Sequence, residues 1–287
     1  MLQRLLSNFS FIMLLAIITG ILIGDMPFVN EISTIALITA MTVSISHISF
    51  RVANYKRELR KALYSLLLNY GFLSSIILVA GFLMHKYWEG FVIMASAPPA
   101  IAVVPITKIL HGDERQSLFS LIFLYLLAIF LMPFIIYLFL AKEVDTAGIV
   151  RNTLILILVP IVLSRAIYKK IDREQIPVIS NICFFILISL VIGKNGNFLF
   201  EDAYSLLSLS AIMAVRTFGT GSLVKLLGRK IGVAEEELIS YSLLSSFKNE
   251  GLVMLIALSF SPEAAIPAII ALIFELLWVC CMEAKVI

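Results

Sequence analysis

Lys248, Asn249 and Glu250 sit side by side in SSFKNEGLVMLI, residues 245–256, inside a segment otherwise apolar enough to lie in a membrane. Two more ionisable residues have comparable surroundings: Arg216 in SAIMAVRTFGTGSL and Glu275 in AIIALIFELLWV. Insertion scales put such a residue at roughly +2.5 to +3.5 kcal/mol near a helix centre. Residues retained against that penalty mark ion or substrate paths, proton relays and buried pairs. Burial favours a neutral lysine and a nearby carboxylate favours a charged one, so Glu250 and Glu275 are the candidate partners of Lys248. The plainer reading has Lys248 reaching for an interface along its alkyl stem and Glu250 capping a half-helix. For Glu275, a structural pairing with Lys248 or Arg216 stands beside contact with a substrate. Arg216 belongs either to the interior or, if its span begins near Phe198, to the cytoplasmic rim, with Gly219 and Gly221 easing its exit.

Other chemistry finds less support. Ser245 and Ser246 near Lys248 are the only hint of a Ser-Lys nucleophile, and an intramembrane enzyme or ligand sensor is the alternative they keep open. His47, His85 and His111 lie at a helix end or in connections without metal-ligand spacing, and no phosphate-binding glycine motif occurs. Cys183, Cys280 and Cys281 fall in or at the end of spans, where they act as small apolar residues. No metal and no cofactor is expected, and without a basic face on a soluble domain, no nucleic acid.

Elements that could hold these charges in lipid can be read from composition. Hydrophobic residues make up 61% and charged residues 14% of the 287, against roughly 45–50% and about 25% in a soluble domain. Apolar runs cover 8–24, 31–50, 62–84, 90–107, 117–140, 148–168, 177–193, 203–228, 238–260 and 264–282. Most meet the ~17–25 residues of a membrane-crossing helix. Ten spans result, in one membrane domain over 1–287. The run after Arg4 lacks an A-x-A cleavage site and leads into another span, so it reads as the first span rather than a signal peptide.

Basic residues alternate between the connections. Sixteen fall on one set: Arg4, Arg51 to Lys61, Lys108 and Arg115, Arg165 to Arg173, Lys225 to Lys230, and Lys285. Only Lys86, Lys142, Arg151 and Lys194 fall on the other, leaving Arg216 and Lys248 within spans. The rich side is cytoplasmic by the positive-inside rule, which places both termini there and requires an even number of spans. A multi-pass protein of the cell membrane is the expectation.

Span four, VIMASAPPAIAVVPITKIL, carries Pro98, Pro99 and Pro105. Interior prolines remove helical hydrogen bonds, so this helix should break near mid-membrane. Span nine holds SSFKNEG at the corresponding depth of the second half. Five spans per half, about 1–141 and 142–287, invert the second half relative to the first, and interrupted helices at matching positions of inverted repeats point to a transporter's binding site.

APPAIAVVPITKILHGDERQSLF, LMPFI, LVPIVLSRAIYKKI, IPVISNICFFILI, FKNEGLVMLIALSF and IPAIIALIF together resemble the bile acid:sodium symporter family, in the same order and at similar spacing; auxin efflux carriers resemble the span with the paired prolines almost as well. The resemblance implies an all-α fold of ten helices, with a panel from spans 1, 2, 6 and 7 and a core from 3–5 and 8–10, in which broken helices 4 and 9 cross. By that resemblance, sodium-coupled members carry Ser-Asn where this chain has Val103 and Val104, a Glu at Leu244 and a Gln at Lys248, while Asn249, Asn69 and Ser117 keep family polar positions. Valine, leucine and lysine side chains supply no oxygen for sodium. The chain is thus expected to be a secondary transporter of a small organic anion, not sodium-coupled, with Lys248 in place of the coupling cation and proton coupling left open.

Overall fold

Within lipid a backbone must satisfy its own polar groups, and a helix does so inside one segment. In the computed structural model, residues 5–47, 55–140, 146–201 and 203–284 are described, and they form helices and connections without a strand. Arg4, Arg51, Lys142 and Lys285 of the charge count lie outside the described residues. Each apolar run becomes helix: α1 Phe9–Ile23, α2 Val29–Ile45, α3 Tyr55–Leu83, α4a Trp88–Ser96 with α4b Val103–Ile109, α5 Glu114–Leu140, α6 Thr146–Ala166, α7 Gln175–Glu201, α8 Ala203–Lys230, α9a Glu235–Leu244 with α9b Glu250–Ala257, and α10 Ile266–Glu283.

Five of these have the length and apolarity to cross a membrane: α3, α5, α7 over Gln175–Gly196, α8, and α10 with its preceding turn over Glu263–Glu283. Helices α1, α2 and α6 have shorter apolar parts, Phe11–Ile23, Val29–Ile45 and Leu154–Ala166. Local chemistry sets one of those limits. Gly24 at φ 72° ends α1, and Pro27 comes next before α2 begins.

Both interruptions fall where the sequence places them. Ala97, preceding Pro98, is extended at φ −72° and ψ 149°, as the clash with the proline ring requires. The second break covers Ser245 to Asn249, and the Asn249 side chain accepts from the Leu252 amide at 3.1 Å to start α9b. The breaks meet directly, the Asn249 amide donating to the Pro98 carbonyl at 2.8 Å.

Helices α3 and α8 each contain a π-helical turn, Leu67–Leu73 and Val215–Gly219. A π turn inserts a residue and rotates the remainder of its helix, and such turns recur at functional sites. Helix α7 lies along α1 and α2, and α6 packs against α2 and α5. The interrupted helices pack with α3, α5, α8 and α10. Gly221 lets α8 and α10 approach, since a Cβ there would lie 2.5 Å from Trp278 Cζ2. The exterior is apolar, with Leu22 79%, Phe82 75% and Phe130 74% exposed, whereas Arg216, Lys248, Glu250 and Glu275 are 2% exposed or less. That inversion of the soluble pattern suits a lipid surround.

Candidate functional site: an ionic centre at the helix crossing

The Lys248 side chain leaves the second break and ends in a cage of oxygens. Its ammonium donates to Ala97 O at 2.8 Å, Asn69 Oδ1 at 2.9 Å, Ser74 Oγ at 3.0 Å and Ala95 O at 3.1 Å. Three N–H groups serve four acceptors, and the Tyr70 ring lies 4.5 Å from Nζ on a further side. Ala95 and Ala97 belong to the C-terminal end of α4a, where unsatisfied carbonyls and the helix dipole favour a cation. Neighbouring bonds orient the remaining acceptors. Asn69 Nδ2 donates to the Leu244 and Phe247 carbonyls at 2.8 and 3.1 Å, leaving Oδ1 for the lysine. Ser74 Oγ lies 2.6 Å from Ala95 O and 3.1 Å from Asn69 O, which leaves its lone pairs to the ammonium.

Arg216 projects from the π turn of α8 and holds two carboxylates at once. Its Nη2 reaches Glu250 Oε1 at 2.9 Å and its Nη1 reaches Glu275 Oε1 at 2.8 Å. Glu275 Oε1 also accepts the Lys248 backbone amide at 3.0 Å, so one oxygen ties α10, α8 and the break together. Glu250 occupies the first turn of α9b, where the positive end of the helix dipole favours it. In ionised form these four side chains carry two positive and two negative charges.

Arg216 is therefore interior and not at the rim, and Glu275 pairs with Arg216 through side chains and with Lys248 through backbone. Lys248 does not reach an interface. Asn249, not Glu250, caps α9b, and its Nδ2 donates to Tyr125 Oη of α5 at 2.6 Å. Pro98 supplies the carbonyl of the crossing, and Pro99 is buried beside it. Ser117 is set apart, pairing with Thr107 of α4b at 2.8 Å. Val103 and Leu244, at positions where the family resemblance implies sodium ligands, are wholly buried in an apolar cluster with Phe247 and Trp278. Ser245 and Ser246 donate to the Ser242 carbonyl at 2.9 and 2.6 Å. Sequence reasoning missed Tyr70, Ser74, Tyr125 and the α4a carbonyls. The backbone groups carry no sequence signal, and Tyr70 and Ser74 are brought inward by the π turn.

A cavity of about 40 Å³ lies between the crossing, α10 and the opposite helices α1 and α7. Lys248, Asn249, Glu250 and Glu275 form its polar side, and Met13 and Phe184 stand across from them. A water molecule fits such a space, whereas ligand pockets run to about 300–1,000 Å³. The space beside the crossing is too small for a substrate in this conformation.

Interrupted helices meeting at a buried ionic centre, within an apolar helical exterior, define a polytopic helical membrane protein. The chain belongs to the sodium bile acid symporter family, whose family model matches residues 34–202, and it is accordingly a membrane transporter. No curated protein matches the chain. The matched segment holds Asn69, Pro98, Pro99 and Ser117 but ends before α8, so Arg216, Lys248, Glu250 and Glu275 all lie beyond it.

Proposed function

We propose that the protein is a secondary transporter that moves a small organic anion by alternating access without sodium, the Lys248 ammonium standing in for the coupling cation. One observation carries this reading: Nζ of Lys248 lies within 3.1 Å of four oxygens. Those partners are neutral carbonyl, amide and hydroxyl oxygens, the ligand type that replaces the hydration shell of a monovalent ion. The apolar surroundings of Val103 and Leu244 support the absence of sodium.

On this reading α1 to α10 are ten crossings, with residues 1–141 and 142–287 forming inverted repeats. The π turns of α3 and α8, each in the third crossing of its half, support that relation, as do the breaks in the fourth. Helices α1, α2, α6 and α7 form the panel and the remainder the core, which separate to widen the cavity for substrate. The termini face the cytoplasm and the protein resides in the cell membrane. An anion is favoured because Arg216, Lys248 and the N-terminus of α9b converge beside the cavity. The enzymatic alternative loses its support in the arrangement of Ser245 and Ser246, which bond to Ser242 while Lys248 bonds elsewhere.

Uptake into proteoliposomes tests this reading, with carboxylates and sulfonates, bile acids included, as candidate anions and sodium replaced throughout by potassium. Saturable uptake at the same rate in either salt is expected. Uptake that requires sodium would overturn it.

A further inference from the structure

The four buried charges do not share their partners evenly. Glu275 Oε1 accepts from both the Arg216 guanidinium and the Lys248 amide. Glu250 accepts from Arg216 at Oε1, no N–H or O–H donor reaches its buried Oε2, and its carboxyl lies against that of Glu275. Glu250 also lines the cavity between the crossing and α1 and α7. A buried carboxylate oxygen normally finds a donor. Here the oxygen without a donor belongs to a carboxyl that lines the cavity and faces a second carboxyl, Glu275, an arrangement that one shared proton satisfies.

Charged groups surround Glu250 on several sides. Arg216 faces it from α8, Glu275 from α10, and Lys248 from the break that precedes it. Tyr125 of α5 is one step removed, through Asn249. Across the cavity α1 and α7 present apolar side chains. Lys248 is the poorer proton carrier, because deprotonation would leave two N–H groups for four surrounding oxygens and turn the new lone pair toward the others.

We propose that Glu250 is the proton-carrying group of the transport cycle, taking one proton at Oε2 with each monovalent anion, so that transport is proton-coupled and electroneutral. This rests on the anion-transport reading given above. Charge balance supplies the reason. With all four groups ionised the centre is neutral, and an anion entering it would be a buried charge without a counter-charge. Protonating Glu250 leaves Lys248 and Arg216 facing Glu275 alone, a centre of one positive charge, which the anion neutralises. The only bond made is O–H at Oε2, from a solvent proton on one side of the membrane. It breaks when the proton leaves on the other.

Two measurements test this, and the first needs no substrate. Infrared difference spectra of the purified protein in lipid nanodiscs, recorded on acidification, should show a carboxylic-acid C=O band that Glu250→Gln removes and Glu250→Asp shifts. If Glu250→Gln, melting as a folded protein, keeps every titrating carboxyl band, Glu250 is not the proton site. The Glu250→Asp shift decides the same question should Glu250→Gln fail to fold. In proteoliposomes the probes are alkyl sulfonates and a bile-acid sulfonate, which stay ionised and cannot carry a proton themselves. An inward proton gradient should accumulate them with one proton entering per anion and no effect of membrane potential. Glu250→Gln should lose that accumulation, and whatever flux remains should not vary with pH. Sulfonate uptake without proton entry would overturn the coupling. A titrating Glu250 with no anion carried under any gradient would instead sink the transport reading and the coupling with it.

Discussion

Arg216 holds two carboxylates on one guanidinium, and that fork is the least replaceable feature of the centre. Removing one member of a buried ionic group leaves the others uncompensated, typically at about 3–5 kcal/mol. Arg216→Gln is therefore expected to melt well below the native protein in detergent, and Arg216→Lys to recover only part of the loss, because an ammonium lacks the planar fork. A native melting temperature for Arg216→Gln would show that Glu250 and Glu275 are held by other means. These residues were conspicuous in the sequence as charges in apolar segments. Their partnerships were not. The choice between interior and rim for Arg216 turned on where α8 begins and on a π turn that no spacing rule reports. Ser117 shows the converse: the family resemblance pointed to it, yet its hydroxyl is spent on Thr107 away from the ionic centre.

Helices α3, α5 and α9a meet at a polar rim centred on Asp113. Its Oδ1 accepts the Gln116 amide at 3.0 Å, capping α5, and its Oδ2 accepts from Lys61 of α3 at 2.6 Å. Burial pushes its carboxyl up, but the bonds from Lys61 and Gln116 and the charges of Lys61 and Arg57 outweigh it and hold it below the ordinary 3.8. A depressed folded value stabilises above the unfolded value and is lost as pH falls through the folded one. Thermal melts should thus show stability that is intact at neutral pH and declines below the ordinary 3.8. Asp113→Asn should weaken that decline without abolishing it, because burial likewise opposes, and Lys61 and Arg57 overcome, in holding Glu237 low. Asp113→Ala should cost about 0.5–2 kcal/mol through the lost cap. An unchanged acid limb in Asp113→Asn would contradict this assignment. At the α8 and α10 contact, Gly221→Ala would set a Cβ 2.5 Å from Trp278. The overpacking should cost about 1–3 kcal/mol and displace Arg216 from Glu275, lowering transport as well as melting temperature. Activity and melting both at native levels would mean that the contact does not position the site. Elements of this kind were legible where prolines interrupted an apolar run. The π turns were not, since their sequences satisfy an ordinary helix as well.

Among the described residues an apolar exterior surrounds the ionic centre, and on the proposed topology the alternation of basic residues sets the orientation. Lys230→Cys should react with a membrane-impermeant thiol reagent only from the cytoplasmic side and Lys86→Cys only from outside, in a background with Cys183, Cys280 and Cys281 replaced; the reverse pattern would invert the topology. Hydrophobic run lengths made the order of helices readable from the sequence, because each run had to satisfy its backbone within itself. The short apolar parts of α1, α2 and α6 were not, because a run of apolar residues does not report where its helix stops. The proposal of sodium-free transport rests most on the cage around the Lys248 ammonium, and its direct test is thermal melting of Lys248→Ala in ammonium, sodium or potassium, at ionic strength matched with N-methylglucamine, beside the native protein. Ligands that bind only the folded state raise its stability with concentration. One or more of these small cations should raise the melting temperature of Lys248→Ala saturably and leave the native protein unmoved. A variant indifferent to all three, or a native protein stabilised by sodium, would contradict the assignment of Lys248 as the substitute cation.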